Sequence, residues 1–183
     1  MKRRYKEMLA ATAKPLELLS YLAAVVALLL LWSQSRSDAA RARATASLEY
    51  VRQFNSEPLS GHRTNLAKPW LRYRGALDQI NSGPGLSDAE ADRLTAHVVS
   101  QYDIENPGQP ATLSILEIAS FYDQIQICID VDACDGGVAR SYFQEEAAEF
   151  FETHSVIIRS LRKSISGRVG RGLERFVAEG TAQ

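Results

Sequence analysis

An all-α fold is predicted for this chain by three observations. Apolar residues recur at three- and four-residue spacings. Ser87-Asp88-Ala89-Glu90 is a capping-box pattern, in which the Ser hydroxyl and the Glu carboxylate satisfy free amides at a helix start. The longest apolar segment, which follows Pro110, is too long for one strand. The predicted architecture is one N-terminal transmembrane helix continuing into a stalk, then a small antiparallel helical bundle. Its parts are a basic segment 1–14, a transmembrane helix 15–32, a stalk 33–56, the bundle 57–166 and a basic tail 167–183.

The transmembrane element rests on the uncharged run 18–32, in which Leu18, Leu22, Val25, Leu29 and Trp32 are the anchoring side chains. A helix rises about 1.5 Å per residue, so a bilayer core needs roughly 20 residues. Pro15 suits a first helical turn, Glu17 sits near one interface, and Trp32 suits the headgroup level at the other. A buried core helix and a cleaved signal peptide are the competing readings. The peptide reading lacks a good small-x-small site close behind the run. Lys2, Arg3, Arg4, Lys6 and Lys14 precede the run, against Arg36, Arg41 and Arg43 after it. That bias favours a cytoplasmic N-terminus, hence a single-pass inner-membrane protein with a periplasmic C-terminal domain.

With the anchor set aside, the 183-residue chain leaves room for one ordinary domain. The net charge of −1 gives no general attraction for nucleic acid. A hydrophobic fraction of 45% supports a packed core. Ala40, Ala44, Leu48, Val51 and Phe54 form the stripe of the stalk, and 57–62 reads as a loop. A helix is expected from Pro69 to Ile80, with Trp70, Tyr73, Leu77 and Ile80 inward, and another from Ser87 to Tyr102, burying Leu94, Val98 and Tyr102. The segment after Pro110 carries Leu113, Ile115, Ile118, Phe121, Tyr122, Ile125 and Ile127 around its circumference, which places it at the bundle centre. Asp135 is the N-cap of a long helix containing Phe143, Phe150, Ile157 and Leu161, and Leu173, Phe176 and Val177 form a last short helix within the tail.

Chemistry is sparse. Asp130, Asp132 and Asp135 suggest calcium, but an EF-hand needs Gly at the sixth position and Glu at the twelfth, where Asp135 and Ser141 stand. Cys128 and Cys134 flank a tight turn and are either a disulfide or two buried thiols. Asp123 lies on the most apolar helix and needs a partner if buried; Arg159 is the candidate for a buried ion pair, with Arg162 and His154 as alternatives. The glycines at 167, 170 and 172 follow a helix, not a strand, so they make no phosphate cradle, and Arg168 and Arg171 read as a solvated tail. Neither a cofactor, a metal nor a catalytic residue is expected.

The stretch 42–50, the helix 120–128 and the positions Cys134, Asp135, Phe150, Phe151 and Arg159 resemble a family of bacterial membrane-anchored helical proteins of unknown function. Ser120 and Asp123 stand where that family has Asn and Glu. The resemblance implies the architecture and no activity. The expected function is a membrane-anchored interaction or scaffold domain, an accessory subunit of a membrane complex. Its expected partners are lipid and either another membrane protein or a second copy. The alternative is a membrane-bound sensor of pH or redox state.

Overall fold

The structure, a computed structural model, describes residues 2–81 and 85–181, with side chains from Tyr21 onward except those of Ala76 and 79–81. All regular structure among the described residues is helical: α1 Lys2–Asn55, α2 Leu59–Arg72, α3 Arg74–Asn81, α4 Asp88–Glu105, α5 Ala111–Asp130, α6 Gly136–Ser164 and α7 Arg171–Gly180. The chain divides into two compact units, Met1–Ala42 and Arg43–Gln183.

In the first unit, the described side chains are exposed on every side of α1, among them Tyr21, Leu22, Val25, Leu29 and Trp32. The Arg36 guanidinium lies 4.0 Å over the Trp32 ring. Among the described residues, no helix is long and apolar enough to cross a membrane. The expected span 15–32 starts in residues 15–20, Leu18 among them, which lie outside the described side chains.

The second unit is a bundle built around α5, which packs against α2, α4, α6 and α7. Ala111, Ile115, Ala119, Tyr122 and Ile125 are wholly buried on it. Leu113 and Ile127 are exposed, so α5 is not enclosed on all sides as its composition suggests. Phe54 at the end of α1 joins this core. The inward positions there are Ser47 and Phe54, and Leu48 of the expected stripe faces out. The bundle therefore begins at Arg43, not at residue 57, because the last turns of α1 supply part of its core.

Two further differences from the sequence reading have local causes. The chain resumes helix at Leu59, ten residues before Pro69, and Pro69 is buried inside α2. Proline costs an intrahelical hydrogen bond there, and α2 ends a turn later at Arg72. Ile80 lies outside the described side chains. The second difference is α7, whose Leu173 and Phe176 are wholly buried against α5 and α6, so the tail belongs to the bundle. The expected helix starts hold at α4 and α6. The Glu90 carboxylate accepts from the Ser87 amide at 2.9 Å, and Asp135 Oδ1 accepts from the Val138 amide at 3.1 Å.

Phe121 makes ring contacts with Tyr50, Phe54, Tyr122 and Phe143 and is 2% exposed. Phe121→Ala is expected to lower the unfolding free energy by about 3–5 kcal/mol. Leu113→Ala on the exposed side of the same helix should change it by less than about 0.5 kcal/mol. Urea denaturation of both variants followed by circular dichroism checks this; equal midpoints would overturn the assignment of the core.

Candidate functional site

Most of the polar groups singled out in the sequence fall in two places: the turn between α5 and α6, and the seat of α7. At the turn, Cys128 and Cys134 form a disulfide with Cα atoms 5.2 Å apart. Asp132 takes a left-handed conformation, φ 57°, which Asp tolerates better than most residues. The buried Ser47 hydroxyl of α1 accepts the Asp135 amide at 2.9 Å and stands 3.0 Å from the Asp135 carbonyl. Arg43 Nη1 lies 2.5 Å from Asp132 Oδ1. Asp132 is 81% exposed, so this pair adds little stability and Ser47 carries the attachment. Ser47 was not a candidate from sequence; its only signal was a small polar residue on an otherwise apolar helical stripe.

Asp123 and Arg159 are not brought together. Arg159 pairs with Asp92 of α4 at 2.8 Å. Asp123 faces α7, where Oδ2 accepts the Gly170 amide at 2.8 Å and Oδ1 accepts the Leu173 amide at 3.0 Å. It thus caps α7 from another helix, and the physical reason is directional: Asp123 lies on the side of α5 that α7 covers. Burial raises its carboxyl above the usual carboxylate range, opposed by the amides of Leu173, Gly170 and Gly172. The glycines have defined tasks. Gly170 sits at φ 68°, and a Cβ on Gly172 would lie 2.6 Å from Asp123 Cα. Arg162 fastens the approach to α7, donating from Nε to the Val169 carbonyl at 3.0 Å and pairing with Glu174 at 3.0 Å.

Two buried polar groups were missed or only partly placed. Asn65 of α2 donates to Ser114 Oγ at 2.9 Å and to the Gln109 carbonyl at 3.2 Å, with His62 Nδ1 3.1 Å from the same Ser114 hydroxyl. His154 is 6% exposed, and its Nδ1 lies 3.0 Å from the Phe150 carbonyl. A carbonyl only accepts, so Nδ1 carries the proton in the neutral ring. Burial holds this imidazole below its ordinary pKa, with the Phe150 carbonyl opposing. Asp130, the first of the three turn aspartates, pairs with Arg175. Among the described residues, no cluster of His, Cys, Asp and Glu is arranged to hold a metal ion.

No protein-family model, no curated protein and no solved structure matches this chain.

Gly172→Ala should force α7 off α5, since the colliding atom is backbone, and cost about 1–3 kcal/mol. Asp123→Asn puts an amide donor against one of two backbone donors and should cost a similar amount. Protection of the α7 amides in hydrogen exchange, measured in both variants, checks the tertiary cap; unchanged protection in both would overturn it.

His154 generates a pH dependence of known sign. Its folded pKa is depressed, so its contribution to stability is present above the unfolded value of about 6.5 and is lost as pH falls through the folded value. Urea midpoints of the wild type should fall between about pH 7.5 and about pH 5 relative to those of His154→Leu. Parallel curves for the two proteins would contradict this.

Proposed function

We propose that this chain is a single-pass membrane protein whose helical bundle serves as an interaction or scaffold module. The observation that supports the anchor is the exposure of α1 on all sides over 21–32, where nearly every residue is apolar. Contiguous apolar surface of this kind is not left facing water in a soluble monomer, whereas lipid covers it without cost. The uncharged run continues back to Leu18, and Pro15 and Leu16 extend it toward the length of a span.

The Lys and Arg bias before the run supports a cytoplasmic N-terminus and a periplasmic bundle on the inner membrane. A Cys128–Cys134 disulfide agrees with that compartment, since disulfides persist where thiols are not kept reduced. A partner is another membrane protein or a second copy of this chain. The reading assigns no catalytic residue, no cofactor and no nucleic-acid contact.

A redox or pH sensor is the second reading. In its favour, the disulfide closes the turn to which Ser47 attaches α1, and His154 is a buried imidazole whose pKa burial holds below its ordinary value.

The intact chain should remain in the membrane fraction after an alkaline carbonate wash. Thiol labelling of denatured protein should fail without reductant and succeed with it. Release of the full-length chain by the wash would sink the anchor, and labelling of both cysteines without reductant would place the bundle on the reducing side.

A further inference from the structure

A groove of about 470 Å³ runs between α2 and the loop that leads into α5. That volume falls in the range of small-molecule sites, roughly 300–1,000 Å³. Its floor is polar and fully ordered. Asn65 Nδ2 faces the carbonyls of Gln109 at 3.2 Å and Pro110 at 3.4 Å, which only accept, so the amide nitrogen is fixed on that side. Nδ2 also donates to Ser114 Oγ at 2.9 Å. The buried Ser114 hydroxyl then gives its own proton to His62 Nδ1, 3.1 Å away. With Nδ1 accepting, the proton of the neutral His62 ring is on Nε2. His62 is half-buried, and its Nε2 is neither paired among the described residues nor shut off from the surface. A donor is thus held in place by the floor and left open to a ligand.

Opposite charges line the two ends of the groove. Glu57 precedes α2, and its carboxylate lies over Gly61, where a Cβ would come within 2.9 Å of it. Lys68 stands further along the same helix and reaches across to Gln109 Oε1 at 2.9 Å. Both side chains are exposed. Gly61 and Lys68 are about 10 Å apart along α2 at a rise of about 1.5 Å per residue. Glu57 accepts the Ser60 hydroxyl at 3.0 Å, so each charged group has a neutral partner, and among the described residues neither is in an ion pair. Pro58, Pro110 and Leu113 supply apolar surface between these ends, and Leu113 is 44% exposed.

We propose that this groove binds a short peptide with both ends free, its amino terminus at Glu57, its carboxylate at Lys68 and a main-chain carbonyl on the His62 Nε2–H. Opposite charges at a distance match a zwitterion, whereas an ion of one sign would meet a like charge at one end. The separation sets the length. An extended chain spans about 3.3 Å per residue, so about three residues bridge the two ends. A single amino acid, whose amine and carboxylate share one carbon, reaches only one of them. The inference is independent of the membrane anchor and of the scaffold reading.

The test compares trialanine with its N-acetylated and its C-amidated forms. Each is titrated into the full chain in detergent and followed by the amide NMR signals of Gly61 and Gly108, which line the groove. Trialanine should shift both signals. Blocking either end should weaken binding about two- to fivefold, the worth of one exposed ion pair. Lys68→Gln should abolish the cost of amidation and keep the cost of acetylation, and Glu57→Gln should do the reverse. Both positions are exposed, so both variants should fold as the wild type does. Unmoved glycine signals in the wild type would overturn the proposal. So would equal affinities for the three peptides, or either cost surviving in the variant that lacks the matching charge.

Discussion

Phe54 from α1 stacks on Phe121 of α5 with ring centroids 5.1 Å apart, and both meet Phe143 of α6 edge to face. Tyr122 extends the same cluster to Phe150 of α6 and Phe176 of α7. Four helices thus share one aromatic contact set, and α5 supplies its centre with two consecutive residues. Consecutive residues on a helix point about 100° apart, so Phe121 and Tyr122 serve two faces of α5 at once. Each aromatic ring buries a large apolar area. Burying two faces of α5 is what requires neighbours on both, and α1, α6 and α7 answer that requirement.

The same requirement explains how the short elements persist. An isolated helix under roughly 12–15 residues is marginal in water. The 10-residue α7 stands because Leu173 and Phe176 are wholly buried and Asp123 satisfies two of its free amides. Asp103 of α4 does the same for α5, accepting the Ala111 amide at 2.5 Å and the Thr112 amide at 3.3 Å. In both cases a carboxylate on one helix caps the start of another. The cap adds favourable charge at the positive end of the helix dipole and fixes the register of the two helices.

The two units follow different logic. In the bundle, exposed apolar side chains such as Ile127 and Leu113 are interspersed among polar ones, as on any protein surface. In 21–32 the apolar side chains are contiguous and exposed around the helix. The bundle buries most of its large apolar side chains internally, whereas the described apolar side chains of the N-terminal unit are exposed.

What the sequence by itself determined is what depends on near neighbours in the chain. The Ser87–Glu90 pair and the Asp135 cap lie within one turn of the amides they serve, so α4 and α6 were legible at their starts. The apolar density of α5 marked it as central, and the apolar run 18–32 was plain from composition alone. Only the tertiary structure decided which partner each polar group takes. Asp123 and Arg159 fit as an ion pair by charge, yet α7 occupies the side of α5 where Asp123 points and α4 meets Arg159. Gly170 and Gly172 read as helix breakers in a solvated tail because the backbone that Gly172 lies against belongs to a helix about fifty residues earlier. Helix propensity and capping are short-range and repeat in the linear chain. The choice of neighbour depends on which faces must be buried together, and that is set only when the helices pack.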